Sequence, residues 1–533
     1  MAWRALGDSA WLFTAMAGNA SDKLAQILRM RQQLEHHRIP AVCDLVSSFD
    51  SVAVHFAPSD GETVLDWLQT IGMPSSGQGM ELFGRTHEIP LRYGNDLEMV
   101  AEKLGLTAED VIHLHSAAIY TVAAIGFSPG FPYLTGLPEE LHLPRLDTPR
   151  WVNAGSVAIA GNQAGIYPFD SQGGWHVIGQ SSVMLFDLQN DPPALLAPGD
   201  RVKFTAVESI SSQPAISNKP SDKSEAAIEV IDAGPLTSVQ DLGRHGHQTL
   251  GVTVGGAMDP IAAKVANRLL GNPEHHALLE CAMIGPVLKF HRTCWVAMLG
   301  WNDPRCGRPM QFAAGEVLDL RKPTIGSYAY LAVAGGINVP LVLGSRSTDL
   351  RAKFGGHLGR RLEKGDFLKI GAALNMPRAE NWHVRWPYDD AHKSSTLRYT
   401  RGVQSEWFDA PSLDALAHAE FRISSMSDRV GMRLDGPKLI RAISDEMVSQ
   451  AVVRGSIQVP PDGSPIVLMA ECQTIGGYPQ IGHVISADLP KLARMQPGAT
   501  LRFREVSLDE ARRAWNELEH EMKFLRTGLE LLK

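Results

Sequence analysis

The chain of 533 residues carries 58 acidic and 50 basic side chains, a formal net charge of −8, with 44% apolar and 20% charged residues. That is ordinary soluble globular composition, and at roughly 100 to 200 residues per domain it predicts about three to five units in place of one continuous core. The acidic balance excludes nucleic acid as the main ligand, because neutralising phosphates requires clustered Lys and Arg.

The N-terminus, Met-Ala-Trp-Arg-Ala-Leu-Gly-Asp, lacks the apolar region of a signal peptide, which predicts a cytoplasmic protein. A helical pattern over Ser21 to His37 is flanked by strand-like runs around Ala10 to Phe13 and Ser51 to Phe56, an α+β unit that breaks near residue 88. Thr107 with Asp110 forms a capping box. Ser116 to Pro138 carries no formal charge and is long enough for a membrane span, but Pro129, Pro132 and Pro138 rule out a continuous helix, so it reads as buried strand and loop. Ser209 to Ala226, rich in Ser, Pro and Lys, reads as a linker. It falls where the charge balance changes, from 12 basic against 23 acidic residues over 1–208 to 38 against 35 over 209–533.

Asp259 and Pro260 supply an N-cap and first-turn proline for a helix running to Leu270, with Gly271 past its end. Asn375 to Thr396 reads as a second linker. Ser507 with Glu510 starts a charged C-terminal helix, whose Leu518, Met522, Leu525 and Leu529 at helical spacing predict a cover for an edge or an oligomer contact. The five cysteines form no C-x-x-C pair and no even disulfide framework, which fits a reducing compartment.

Short segments recur in order. Gly155-Ser-Val-Ala-Ile matches Gly455-Ser-Ile-Gln-Val, and Gly173-Gly-Trp175 matches Gly476-Gly-Tyr478. Each series closes on a glycine turn entering an alternating strand, Pro198 to Phe204 and Pro497 to Phe503, and Lys364 to Ile370 supplies a third closure. Three related β-rich modules follow, and short strands punctuated by 49 glycines and 33 prolines favour closed or nearly closed barrels.

Gly126-Phe-Ser128-Pro-Gly130 has the letters of a hydrolase elbow, but the residue after the serine is proline, which has no N–H to give an oxyanion hole. It reads as a rigid aromatic turn carrying Phe127, Phe131 and Tyr133. Gly344-Ser-Arg-Ser-Thr348, followed by Arg351, Lys353 and Gly359-Arg-Arg361, gathers hydroxyls and positive charge without being a Walker A loop. Two readings stand for it, a basic surface loop or an anion cradle built on Ser345, Arg346, Ser347, Thr348 and Arg360. Thr237 to Arg244, with Gln240, Asp241 and Arg244, suits ligand or Mg²⁺ contacts or plain turn capping. His245 and His247 lack an acidic or cysteine partner at metal-site spacing, which favours structural histidines. Tyr167, Trp175 and Tyr478 sit beside glycine turns, either as core packing or as pocket walls with a polar tip. Gln163, Gln458 and Gln473 have the paired donor and acceptor to read an amide.

Across these residues the chain resembles two bacterial protein families joined in order. Residues 1–208 resemble the B subunit of ATP-dependent 5-oxoprolinase, the allophanate hydrolase subunit 1 family related to the sporulation kinase inhibitor, through Leu6-Gly-Asp-Ser-Ala10, Gly126 to Leu134, Pro144-Arg145, Pro149-Arg150, Gly155 to Ala160, Gly165-Ile-Tyr-Pro168 and Gly173-Gly-Trp175. Residues 227–508 resemble the C subunit, the allophanate hydrolase subunit 2 family, through Ser238 to Arg244, Gly256-Ala-Met-Asp259, Ala266-Asn-Arg268, Leu331 to Gly336, Leu343 to Thr348, Asp428-Arg429 and Gln458 to Gly463. The pair also resembles the carboxyltransferase region of urea carboxylase.

The resemblance implies a mainly β chain with α+β parts, a small ferredoxin-like domain (1–88) followed by three cyclophilin-like barrels (89–208, 227–374 and 397–508), with a linker at 209–226, a connector at 375–396 and a terminal helix at 509–533. It implies a hydrolase component that activates 5-oxoproline with ATP and Mg²⁺ by phosphorylating the lactam oxygen, so that the separate A subunit of 5-oxoprolinase can open the ring. Asp241, Glu471 and Arg346 are the expected catalytic residues; Gln163, Tyr167, Trp175, Arg244 and the Ser345, Ser347 and Thr348 hydroxyls are expected to bind substrate or nucleotide, as are Arg360, Gln473, Thr474 and Tyr478. Asn153-Ala-Gly155, Ser171-Gln-Gly-Gly174, Gln163-Ala-Gly165 and Glu471-Cys-Gln-Thr-Ile-Gly-Gly-Tyr478 depart from the family's usual P-A-G, S-P-G-G, Q-T-G and D-R-Q-T-T-G-G-Y. The alternatives are an amide-processing module that uses carboxylated biotin on a urea-like substrate, and a non-enzymatic histidine-kinase inhibitor.

Overall fold

The structure, a computed structural model, describes residues 3–16, 18–72, 84–146, 148–211, 226–373, 383–384, 396–443 and 447–531. Most of the expected linker at 209–226 and connector at 375–396 lies outside these residues. At the N-terminus an antiparallel sheet runs in the order Trp3–Ala5, Ala10–Thr14, Ser51–Phe56, Val42–Ser47. Helices Ala20–His36 and Gly61–Thr70 complete it, the first held by a capping box between Asn19 and Asp22. This is the strand order of a ferredoxin-like sheet, with one edge supplied by the start of the chain.

The period of two along these strands sends alternate side chains to opposite faces. Trp11, Phe13, Leu45, Val52 and Val54 pack on the two helices, while Leu6, Ala10, Leu12, Val46 and Ala53 face away into a second core. Both faces are therefore buried, which is why these strands read as nearly continuous apolar runs.

A closed seven-strand barrel follows, with Thr86–Tyr93 and Arg201–Ala206 side by side and parallel. The last part of the chain forms a second closed seven-strand barrel, joined by the parallel pair Thr396–Arg401 and Thr500–Glu505. The repeated glycine turns at Pro198 and Pro497 thus enter equivalent closing strands. The repetition extends to detail. Strand His176–Gln180 bulges against Ser156–Ala160 between Val177 and Gly179, and Gln480–Val484 is irregular at the matching place, where Gly179 opposes Val157 and Gly482 opposes Ile457. Each barrel also carries a two-stranded ribbon, Arg150–Val152 with Ser171–Gly173 and Gln450–Ala451 with Ile475–Gly476.

The middle unit differs. Its strands divide into a four-stranded and a five-stranded sheet around one core, and the glycine turn at Lys364 leads into the short strand Phe367–Leu368, antiparallel to Ile228–Asp232. Helix Pro260–Leu269, capped by Asp259 as its sequence predicts, lies in a core continuous with that of the last barrel. The uncharged stretch at 116–138 forms strands Ile119–Ile125 and Pro132–Thr135. Among the described residues no helix is long and apolar enough to cross a membrane. All five cysteines are free.

Helix Leu508–Leu531 is a cover: Ala511, Ala514, Leu518, Met522 and Leu529 are buried on the core of the last barrel and middle unit. Its Arg512 reaches Glu62 of the N-terminal sheet unit at 3.0 Å, and Arg526 reaches Glu274 of the middle unit at 3.0 Å.

The N-terminal unit docks through its Leu6-Gly-Asp motif. Gly7, at φ +67°, lies against His483, where an added Cβ would come within 3.2 Å. The buried Asp8 carboxylate accepts the Ser486 N–H at 2.8 Å and the Ser486 hydroxyl at 2.6 Å. Burial, only partly offset by these bonds, holds the Asp8 carboxyl above its ordinary pKa of 3.8. A carboxyl with a raised folded pKa favours the folded state most when protonated, and that contribution is lost as pH rises through the folded value. Asp8→Ala should cost about 1–3 kcal/mol by stranding two buried donors. Asp8→Asn removes the titration, so the thermal midpoint of the wild type relative to this variant should rise as pH falls from about 7 to about 4. A gap independent of pH would contradict the assignment.

Candidate functional site

The expected anion loop Gly344 to Thr348 is organised around Asp241, which stands just after strand Leu236–Gln240. Asp241 Oδ1 accepts the hydroxyls of Ser345 at 2.7 Å and Ser347 at 2.5 Å and the Gly243 N–H at 2.9 Å, while Oδ2 accepts the Arg346 N–H at 2.6 Å. The Thr348 hydroxyl donates to the Val239 carbonyl, and Arg346 Nε to the Val339 carbonyl, both at 2.9 Å. Arg360 holds Asp366 through two bonds of 2.8 Å. The structure therefore turns these groups on one another, and both oxygens of Asp241 are occupied by donors from the chain.

Arg244 is fully buried, with Nε on the Val342 carbonyl at 2.9 Å, Nη2 on the Ser347 carbonyl at 2.5 Å and its carbon 4.9 Å from the Phe354 ring centre. Its Nη1 is buried without a hydrogen-bond partner. Burial lowers its proton affinity, and Asp349, Asp241 and Glu471 oppose that.

Glu471 belongs to an ion-pair seam between the middle unit and the last barrel. Arg429 donates from Nε to Glu471 at 2.6 Å, from Nη1 to Glu280 and from Nη2 to the Gly256 carbonyl at 2.7 Å. Glu280 also accepts the Met258 N–H at 2.6 Å and the Tyr330 hydroxyl at 2.9 Å. Burial would depress the Arg429 guanidinium, but Glu280 and Glu471 outweigh it and hold its pKa above the ordinary value. One cation between two buried carboxylates leaves Glu471 raised, by burial first and by Asp349 and Glu280 in addition. Gly255 N–H to the Ala470 carbonyl, 3.0 Å, ties this seam to the Asp241 loop.

Asp241 and Glu471, two of the expected catalytic residues, thus do not form a ready metal ligand set. Among the described residues no group of three or more His, Cys, Asp or Glu is arranged to hold a metal ion, His245 and His247 included.

The loop from Glu471 to Tyr478 leads from this seam to the junction between the two closed barrels, where both contribute to one buried cluster. On one side stand Phe127, Phe131, Tyr133, Tyr167 and Trp175, with Phe131 5.2 Å from Tyr167 and 5.8 Å from Trp175 between ring centres. Phe127 has φ +65° in the Gly126 turn, and Arg351 of the middle unit lies over its ring at 5.8 Å. On the other side stand Ser449, Ile475, Gly477 and the 41%-exposed Tyr478. A Cβ on Gly126 would meet Ile475 at 2.7 Å, and one on Gly173 would collide with the Tyr167 hydroxyl. Gln458 Nε2 donates to the Tyr478 carbonyl at 3.2 Å and Gln473 Nε2 reaches Gln458 Oε1 at 3.5 Å, forming one amide ladder. The Gln163 carbonyl oxygen and the Thr474 hydroxyl are buried without partners. Burial pushes the Tyr133 phenol up to about 12, with Arg145 and Ser449 pulling it down, and burial raises Tyr167 as well. Both phenols are neutral hydrogen-bond donors at neutral pH.

Tyr167, Trp175, Gln473 and Tyr478 are thus brought to one junction, whereas Asp241, Arg244, Ser345, Arg346, Ser347 and Thr348 form a separate knot and Arg360 an ion pair of its own. The sequence reading missed Glu280 and quoted Arg429 only as part of the Asp428-Arg429 motif, without a role. Glu280 had a signal, being the one charged residue in the strand Leu278–Ile284. Arg429→Ala should destabilise the protein by about 3–5 kcal/mol, because two buried carboxylates lose their cation. Adding Glu280→Gln and Glu471→Gln should restore part of the loss in thermal and urea midpoints; an equally unstable triple variant would refute the charge argument.

Residues 1–196 match the family model described as carboxyltransferase domain, subdomain C and D, and residues 250–505 match carboxyltransferase domain, subdomain A and B. The chain is 38% identical over 297 residues to the C subunit of 5-oxoprolinase from Escherichia coli K12, covering 54% of this chain and 94% of that protein. It is 49% identical over 132 residues to the B subunit of 5-oxoprolinase from Escherichia coli O157:H7, covering 24% of this chain and 61% of that protein. Among solved structures, the crystal structure of TTHA0988 superposes with a TM-score of 0.81 at 33% identity, covering 93% of this chain and 99% of that one.

Proposed function

The chain belongs to the carboxyltransferase-domain family that includes the 5-oxoprolinase B and C subunits, with both kinds of unit in one polypeptide, and from that premise we propose that it is the fused B and C component of an ATP-dependent 5-oxoprolinase. The observation that carries this reading is the junction between the barrels, to which both halves contribute residues. Gly126 meets Ile475 across it, and Arg145 stands over Gly477.

In this reading the aromatic wall packs on the five-membered ring. The neutral Tyr133 and Tyr167 phenols would donate to the substrate's oxygen atoms, and the amide ladder of Gln473 and Gln458 would read the lactam N–H and C=O. A lactam is resonance-stabilised, and phosphorylating its oxygen with ATP, with release of ADP, would make the ring carbon electrophilic enough for a separate protein to open it with water, giving glutamate and inorganic phosphate. Phosphoryl transfer of this kind is mostly positioning and charge neutralisation, and a nucleotide with its Mg²⁺ would bring its own ligands. The Asp241 knot and the Arg429 seam would act as supports that hold the Glu471 to Tyr478 loop against the junction.

A second reading, carboxyl transfer to a urea-like amide, is favoured by the carboxyltransferase description of both matching families. The two separate in one assay. With the purified chain and its ring-opening partner protein, ADP release should rise about tenfold or more on adding 5-oxoproline and stay at its basal rate with urea. Transfer of the carboxyl group from carboxylated biotin to urea, with no ADP release on adding 5-oxoproline, would replace the first reading with the second.

A further inference from the structure

Arg145 is an exposed residue of a surface loop at the edge of the junction, in a backbone position held from both sides. The carbonyl of Pro144 accepts His176 Nε2 at 2.9 Å, and the N–H of Leu146 donates to the Gly174 carbonyl at 2.8 Å. Both bonds run to the segment Gly174 to His176 that also carries Trp175.

Its guanidinium reaches across to the other barrel. A Cβ built on Gly477 would lie 3.7 and 3.8 Å from its two terminal nitrogens and 3.2 Å from the Ser449 hydroxyl oxygen. The absence of a side chain at Gly477 thus leaves the guanidinium and the hydroxyl facing the same small space. The Tyr133 and Tyr167 phenols feel the charge of Arg145, which opposes the effect of burial on both. Tyr133, Tyr167 and Ser449 are 6%, 2% and 3% exposed, so the hydroxyls around it are set inside the protein. Among the described residues no carboxylate pairs with Arg145, in contrast to Arg150, which pairs with Asp96.

A guanidinium presents a planar fork of N–H donors that matches a carboxylate in a bidentate pair, and neutral hydroxyl donors beside it add to the recognition of an anion. A neutral amide such as urea offers that fork a single uncharged carbonyl oxygen in place of the two charged oxygens of a carboxylate. We infer that Arg145, with the Ser449 hydroxyl beside it, is a carboxylate-recognising subsite at the junction of the barrels and selects acidic cyclic amides over neutral ones. The inference rests on the proposed 5-oxoprolinase reading for the identity of the ring, while the subsite itself is defined by the carboxylate.

The test compares 5-oxoproline with 2-pyrrolidinone, the same lactam lacking the carboxylate, by calorimetric titration of the full chain. The wild type should prefer the acid by about tenfold or more, and Arg145→Ala should abolish that preference by weakening the acid alone. Arg145→Lys, which keeps the charge without the fork, should restore part of it. In turnover with the ring-opening partner protein, Arg145→Ala should raise KM for 5-oxoproline about tenfold or more with kcat within about twofold. An unchanged preference in Arg145→Ala, or an equal loss for both lactams, would overturn the subsite. Failure of 5-oxoproline to stimulate ADP release, with the acid preference still lost in Arg145→Ala, would overturn the proposed reaction and leave the subsite standing.

Discussion

The apolar layer shared by three units is the constraint on which the rest of the molecule depends. Leu6, Ala10 and Leu12 from the N-terminal sheet, Tyr133, Ala158 and Trp175 from the first barrel, and Ala451, Val453 and Ile475 from the last barrel form one buried cluster. Apolar surface of this kind contributes roughly 25 cal/mol per Å² removed from water, but here its geometry matters as much as its area. Gly126 against Ile475 and Gly7 against His483 are approaches that a Cβ would obstruct. The first brings the two barrels into direct contact and the second seats the N-terminal unit on the last barrel.

Polar groups decide how that contact is oriented. The acidic first half places Asp8 on Ser486 of the last barrel and Asp44 on the Gln248 N–H of the middle unit at 2.5 Å. Burial raises both carboxyls, so at these two contacts neutral donors position the halves, and misregistered docking would strand those groups without partners. The C-terminal helix adds a second tie across the same three units. A junction assembled from two halves therefore inherits its precision from contacts some distance away from it.

The buried charges of the second half serve the same purpose. Asp241 gathers four donors from the chain, and Arg429 joins Glu280 and Glu471 across the boundary between the middle unit and the last barrel. Such networks contribute little net stability compared with apolar packing but are costly to leave incomplete. They tie the loop from Glu471 to Tyr478 at its first residue, while its far end remains at the junction edge.

Local signals were fully legible in the sequence. The caps at Thr107, Asp259 and Ser507, the proline-interrupted strands after Ser116 and the paired glycine closures all depend on residues within one turn of each other, and the barrels repeat them. The sequence by itself also determined the family, because the long motifs carry it without reference to contacts. What it could not decide was which polar groups would be available. Ser345, Arg346 and Ser347 have the composition of an anion cradle, yet Asp241, 104 to 106 positions away, takes them up. Arg429 looks like any surface arginine until Glu280, 149 residues earlier, meets it. Arg145 draws its significance from Gly477 in the other half. Tertiary structure alone made these decisions, because a side chain's availability is set by the partners that packing brings within about 3 Å of it, and those partners lie at separations over which sequence patterns carry no register.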